Sequence, residues 1–323
     1  MRVLNSKRTA AVGFITWLVL LLWPSADSAS TELIHKLLLF GMLVVVPLGL
    51  SLIPPPSSDR DLTFWTYNIA VALTSNAAAA ALLSLFLNKG LLAALLVCGW
   101  FIATCVIALY GLMRLILRGS LFPLSELSID AGLMYLPIAG AWLVIYRLGI
   151  QPFGYGETII LLTAVHFHFA GFAAPIIAGM NGRVLALKPH PRQLYALSIF
   201  GIVAAMPLVA AGITFTPLLG LIGTLLLSSG LLLLAILTIV WVRPAFDHPV
   251  KQILLVFGAL SSCSAMVLAT LYAYSLATHT LILTIPLMAK THGILNAFGF
   301  VTCNLVVWSG IGLKDLIPHK EPE

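Results

Sequence analysis

The sequence predicts an all-α fold: a polytopic transmembrane helical bundle of about ten helices. Hydrophobic residues make up 60% of the 323-residue chain and charged residues only 9%, against roughly half and a quarter in soluble domains. A mean hydropathy of +1.06 excludes a water-soluble globular protein. The apolar residues also fall into runs of the ~20 residues that cross a bilayer as a helix. No polar stretch between them is long enough for a second domain, so 1–323 reads as one transmembrane unit.

Ten candidate spans follow in order: 9–25, 33–54, 64–87, 90–113, 127–149, 157–180, 193–213, 216–242, 252–277 and 286–311. Breakers separate them. Pro54, Pro55 and Pro56 end the second, and Asn88-Lys89-Gly90 turns the chain after the third. Pro189 and Pro191 precede the seventh, and Pro244 and Pro249 lie between the eighth and ninth. The first span has a rival reading. Arg2, Lys7 and Arg8 followed by a short apolar run and Ser28-Ala29-Ser30 also suit a signal peptide, so residues 1–30 are either a first helix or a removed leader. The last span is awkward, because 279–313 is too long for one perpendicular helix and holds Pro286 and Lys290. Either an external amphipathic piece precedes it, or Leu281 to Thr291 forms its outer part, kinked at Pro286.

Charge fixes an expected sidedness. With the N-terminus in the cytoplasm and alternating spans, only Lys36, Lys89, Arg147 and Lys290 fall outside. The other 13 of the 17 Lys and Arg, among them Arg2, Arg60, Arg114, Arg118, Arg183, Lys188, Lys314 and Lys320, fall inside. That is the bias of cytoplasmic loops. The formal net charge of +6 is spread over helix ends, so it argues for a lipid bilayer as partner and against nucleic acid. Cys98, Cys105, Cys263 and Cys303 all sit in apolar tracts without CxxC spacing and read as packing thiols.

Polar groups within the spans carry any chemistry, since each is costly in a membrane. His166 and His168 lie two apart in the sixth span, ~200° around a helix, so they cannot share a pocket unless the helix is locally unwound. Each has a stripe of small residues on its face, Gly171 among them, which makes this helix central. His292, Asn296, Gly299 and Cys303 share one face of the last span, with Asn296 placed to hold the tautomer of His292. A kink at Pro286 would put His292 at the depth of His168, ~16 Å below the outer surface, and the two would then face a shared cavity. An interfacial His292 capped by Thr291 is the alternative. Tyr67 and Asn68 in the third span suit interhelical hydrogen bonding or a polar site. Glu157, with Asp130, is the acid best placed to face inward. There is no deep acid of the kind ion-coupled carriers keep, and no HExxH, GxSxG or phosphate-binding loop. His166, His168 and His292 could ligate a metal or haem, but no cofactor is assigned.

The run Lys36 to Phe40 with Val44-Val45-Val46-Pro47-Leu48-Gly49-Leu50 resembles the second helix of bacterial YndJ-like membrane proteins. Thr163 to Phe172 with Pro175 and Ala178-Gly179, and His292-Gly293 with Asn296 to Phe300, resemble their later motifs. The resemblance implies a bacterial inner-membrane protein of a family described either as uncharacterised or as transporters, and it supplies no reaction. Three functions are carried forward: a permease for an unidentified small molecule with a histidine-lined site; an intramembrane enzyme or haem or metal protein acting on a lipophilic substrate through His168 and His292; and a scaffold subunit.

Overall fold

The computed structural model describes residues 5–22, 28–55, 61–187, 189 and 191–310. Arg2, Pro56, Arg60, Lys188, Lys314 and Lys320, used above for breakers and sidedness, lie outside them. The chain forms α1 (Ser6–Leu21), α2 (Ala29–Ser51), α3 (Leu62–Leu85), α4 (Leu91–Arg118), α5 (Leu124–Leu148), α6 (Glu157–Leu185), α7 (Arg192–Thr214), α8 (Pro217–Ala245), α9 (Pro249–Ala277) and α10, the helical run 285–309. The described residues contain no strand. Each helix falls within a few residues of one of the ten apolar runs, and the eight from α2 to α9 are long and apolar enough to cross a membrane.

Local chemistry sets the ends. Asp61 accepts the amide of Phe64 at 3.0 Å to start α3, and the Thr63 hydroxyl beside it holds its carboxyl below the usual carboxylate range. Gly119 and Gly149 close α4 and α5 at φ 64° and 75°, where a side chain would be strained. Pro286 does not kink the last helix. It sits in the first turn, with Thr284 at the N-cap position, where the missing amide proton costs nothing. Residues 278–284 are not helical. His292 is therefore seven residues into α10, ~10 Å by helical rise, and shallower than a kink at Pro286 would put it. Thr291 caps nothing; its hydroxyl bonds back to Leu287 O at 2.7 Å inside the helix.

Neighbours in sequence pack as antiparallel hairpins, α3 on α4, α4 on α5, α7 on α8 and α8 on α9. Two helices are enclosed by the rest, α2 and α6. α6 packs against α2, α5, α7, α8 and α10, the central place its small-residue stripes predict. The closest approaches are glycine contacts. A Cβ on Gly49 of α2 would meet Phe172 at 2.8 Å, and one on Gly179 of α6 would meet Ser125 O at 2.5 Å. Gly171 is different: its Cβ would meet Phe167 of its own helix.

Both central helices carry widened turns, at Gly41–Val45 in α2 and Phe167–Ala173 in α6, and α10 has two more, Ala289–Gly293 and Leu295–Thr302. The carbonyls of Ala297 and Phe298 show the change of register, accepting from side chains five residues on, Thr302 and Cys303. The α2 segment packs on the α6 segment, and that in turn on 295–302. Such turns rotate the following side chains out of the regular register and gather at functional sites.

One end of the bundle gathers the basic residues. There Lys7 donates to Ser309 O, and an ion network ties α4, α5 and α6 together. At the other end Gly90 N bonds to Arg147 O at 2.8 Å, and Lys89 pairs with Glu157 at 2.5 Å. α6 runs from this second end to the basic end. Its first ten residues, Glu157–His166, pack on α2 and α5. Its main contacts with α7 lie in 167–185, and those with 238–242 of α8 in 174–185. A wedge therefore opens between α6 and α7 at the end away from the basic network.

Candidate functional site

The wedge holds a cavity of about 270 Å³, lined by Tyr135, Trp142, Tyr155, Thr163, Phe167 and Pro207 with Ile138, Ala210, Ile213 and Thr214. Its walls are aromatic and its polar groups are engaged: the Tyr155 hydroxyl lies 2.8 Å from Thr214 Oγ1, and Tyr135 donates to Val203 O at 2.8 Å. Thr163 and Phe167 belong to the turn of α6 that carries His166, which itself faces α10 rather than lining the cavity.

His166 is exposed, although it lies nine residues into α6, ~14 Å by helical rise. Its Nδ1 lies 2.7 Å from Leu162 O, so that nitrogen carries the proton and Nε2 keeps its lone pair. No described residue hydrogen-bonds Nε2. Across the α6–α10 contact is His292, its ring centroid 6.2 Å away and its plane inclined by 32°. Nδ1 of His292 donates to Ala265 O of α9 at 2.9 Å. Asn296 Nδ2 lies 3.1 Å from His292 Nε2 and 3.1 Å from His292 O. Both rings are thus the same tautomer, each anchored by a backbone carbonyl.

His168 is elsewhere. It lies on the opposite side of α6, as the ~200° spacing predicts, and is fully buried. Its Nδ1 donates to Ala164 O at 2.8 Å, and its Nε2 accepts from Trp100 Nε1 at 3.2 Å. The ring stacks on Trp100 with centroids 5.7 Å apart, against Gly41, whose Cβ would meet it at 3.0 Å. Both ring nitrogens are used, and the ring is fully buried between Trp100 and Gly41, which leaves no room for a haem or metal beside it. The expected facing of His168 and His292 is replaced by His166 and His292.

The remaining sequence candidates do not join this group. Tyr67 donates to Leu50 O at 3.1 Å and stacks edge-on to Tyr110, which donates to Ile53 O at 2.7 Å, so the pair caps the end of α2. Asn68 is buried and bonds to Phe64 O at 2.8 Å. Glu157 is exposed beside Lys89 at the mouth of the bundle. The four cysteines are free thiols.

Sequence reasoning missed two features. Trp100 reads as an ordinary apolar residue of a span, and nothing in its pattern signals a histidine partner. The ion network had a signal. Arg114 and Arg118 are four apart on α4, and Glu126 and Asp130 are four apart on α5, a spacing that places each pair on one helix face. Arg114 contacts Glu126 and Asp130, both at 2.7 Å, and Arg183 of α6 contacts Glu126 at 2.7 Å. Arg118 lies 2.6 Å from the fully buried Asp130, as an ion pair without hydrogen-bond alignment. These arginines had served only to mark sidedness.

Residues 36–300 match the model of the YndJ-like protein family. The chain belongs to that family. The matched region holds His166, His292 and Asn296 together with the ion network, and α1 lies outside it. The chain is 28% identical over 296 residues to the uncharacterized membrane protein YndJ of Bacillus subtilis, an alignment that covers 92% of the chain and 52% of that relative. The chain thus spans about half the length of the curated relative it matches. No solved structure matches the chain. Family membership makes it a multi-pass membrane protein and names no reaction.

Proposed function

We propose that the chain is a permease for a small solute, with a path that enters the wedge between α6 and α7 and passes His166, His292 and Asn296. One observation carries this reading: an exposed imidazole with an open Nε2 lies about a third of the way along one of the two enclosed helices, in the turn that also sends Thr163 and Phe167 into a cavity. Imidazoles are costly against lipid and useful against a solute. The ion network supports the reading from the far side, since it clamps α4, α5 and α6 where the wedge is shut. With 13 of 17 basic residues assigned to the cytoplasm, the wedge faces outward and the clamp inward. The protein then sits in the bacterial cytoplasmic membrane with both termini inside and α1 retained against α2. That contact has Ser6 donating to Pro47 O at 2.7 Å and Trp17 to Lys36 O at 2.8 Å.

The test compares small molecules inside and outside cells that make the wild-type chain, a His166→Ala, His292→Ala double variant, or no chain. A solute whose distribution changes only with the wild type supports a permease. Unchanged solutes with altered lipids would replace it with an intramembrane enzyme. Unchanged solutes and unchanged lipids would leave a scaffold.

A further inference from the structure

We propose that His166 and His292 form a two-coordinate site for a soft monovalent metal ion of the Cu(I) and Ag(I) type, bound through their Nε2 atoms. The inference rests on the permease reading for its biological meaning, but its geometry stands alone.

Three observations carry it. First, each ring has its Nδ1 proton committed to a backbone carbonyl, Leu162 O for His166 and Ala265 O for His292. That is the arrangement of metal-ligating histidines, whose second nitrogen donates to a fixed acceptor so that the first presents its lone pair. Second, the ring centroids are 6.2 Å apart. With metal–nitrogen bonds of ~2.0 Å, two imidazoles on opposite sides of one ion have centres about 6 Å apart, whereas a tetrahedral angle draws them about 1 Å closer. Third, among the described residues no group of three His, Cys, Asp or Glu side chains could hold a metal.

The third observation selects the ion. Zinc takes four ligands, typically with thiolate or carboxylate help, and calcium and magnesium take oxygen cages. A divalent ion between two neutral imidazoles would also stand as two uncompensated charges at membrane depth, at a steep solvation cost. A soft monovalent ion carries half that charge and accepts few, polarisable ligands. Asn296 Nδ2 is equally near His292 Nε2 and His292 O, so it can keep the second bond when Nε2 takes the metal. The exposure of His166 provides the way in.

The experiment titrates Ag(I), which needs no reductant, into the purified full chain in chloride-free buffer, with Cys98, Cys105, Cys263 and Cys303 replaced by alanine. The expected result is one Ag(I) per chain, with affinity lowered at least about 100-fold by either His166→Gln or His292→Gln and unchanged by His279→Asn at the exposed α9–α10 loop. Zn(II) should bind far more weakly than Ag(I). If the cysteine-free chain fails to fold, X-ray absorption of the wild-type chain loaded with Ag(I) after thiol alkylation gives the same decision, with two nitrogen neighbours expected. No stoichiometric binding, binding that survives the double histidine variant, or Zn(II) binding as tight as Ag(I) would each overturn the site. Such a failure leaves the permease reading intact, because that rests on solute distribution in cells. A solute other than a metal in those cells, with Ag(I) still bound in vitro, would overturn the permease link alone.

Discussion

His166 of α6 and His292 of α10 lie with ring centroids 6.2 Å apart, while His168, two residues away, stacks on Trp100. Two histidines in one hexapeptide therefore hold opposite positions. One is saturated and enclosed, the other open at Nε2 and exposed. Removing each should have opposite consequences.

His168→Ala should destabilise the protein by about 2–4 kcal/mol, because it leaves a void in the core and strands the Trp100 indole N–H. His166→Ala should cost under about 1 kcal/mol, since its ring is exposed and its bond is local. Thermal unfolding in one detergent measures both. Equal losses for the two variants would remove the distinction between a packing and a site histidine.

The ion network makes a second prediction. Asp130 is fully buried between Arg114 and Arg118. Asp130→Asn keeps its shape but removes the charge that offsets two guanidinium groups, a change of about 3–5 kcal/mol when a buried pair is broken. Replacing Arg118 by methionine should cost less than half as much, because Asp130 keeps its hydrogen-bonded partner Arg114. The two midpoints of denaturation decide between them, and a tolerant Asp130→Asn would show that water or lipid headgroups reach the network.

A third prediction concerns glycine. At Gly179 a Cβ would lie 2.5 Å from Ser125 O and Ile129 Cγ1, and a backbone oxygen can move only with its helix. At Gly171 the obstacle is the Phe167 ring of the same helix, which can rotate. Gly179→Ala should therefore lose about 1–3 kcal/mol by overpacking, and Gly171→Ala clearly less. Equal unfolding temperatures would mean that α5 and α6 slide freely.

The fold was largely legible because membrane helices announce themselves by length and apolarity. All ten apolar runs became helices with shifts of a few residues. The site was legible only in part. His166, His292 and Asn296 stand out as polar groups in apolar tracts, but which histidine of the pair meets α10 depends on how the helices pack around α6. Helical periodicity separates the two faces but does not say which neighbouring helix each one meets. The depth of His292 depended likewise on whether Pro286 kinks a helix or begins one. Proline is compatible with both, and the polar run Thr278 to Thr280 decides it by leaving the helix early. The central role of α2 was hidden because it carries few polar residues, so nothing but packing distinguishes it from a peripheral span.

Sidedness and access are tested together by the last prediction. In a cysteine-free chain, a single cysteine at Thr163 or Ala210, both lining the wedge, should react with a membrane-impermeant maleimide added outside intact cells. One at Ser125, buried beside Gly179 at the basic end, should not react from either face. Reporter fusions after Arg118 and after Arg192 should read cytoplasmic, and one near Phe153 external, following the charge bias of the loops. The two measurements check each other, because the wedge and Phe153 lie at the same end of the bundle. Labelling of Thr163 only from inside, with Phe153 cytoplasmic, would invert the topology and keep the site. Labelling from neither face, with the fusions reading as expected, would mean that the wedge is filled by lipid, and His166 would then be shielded from any aqueous solute.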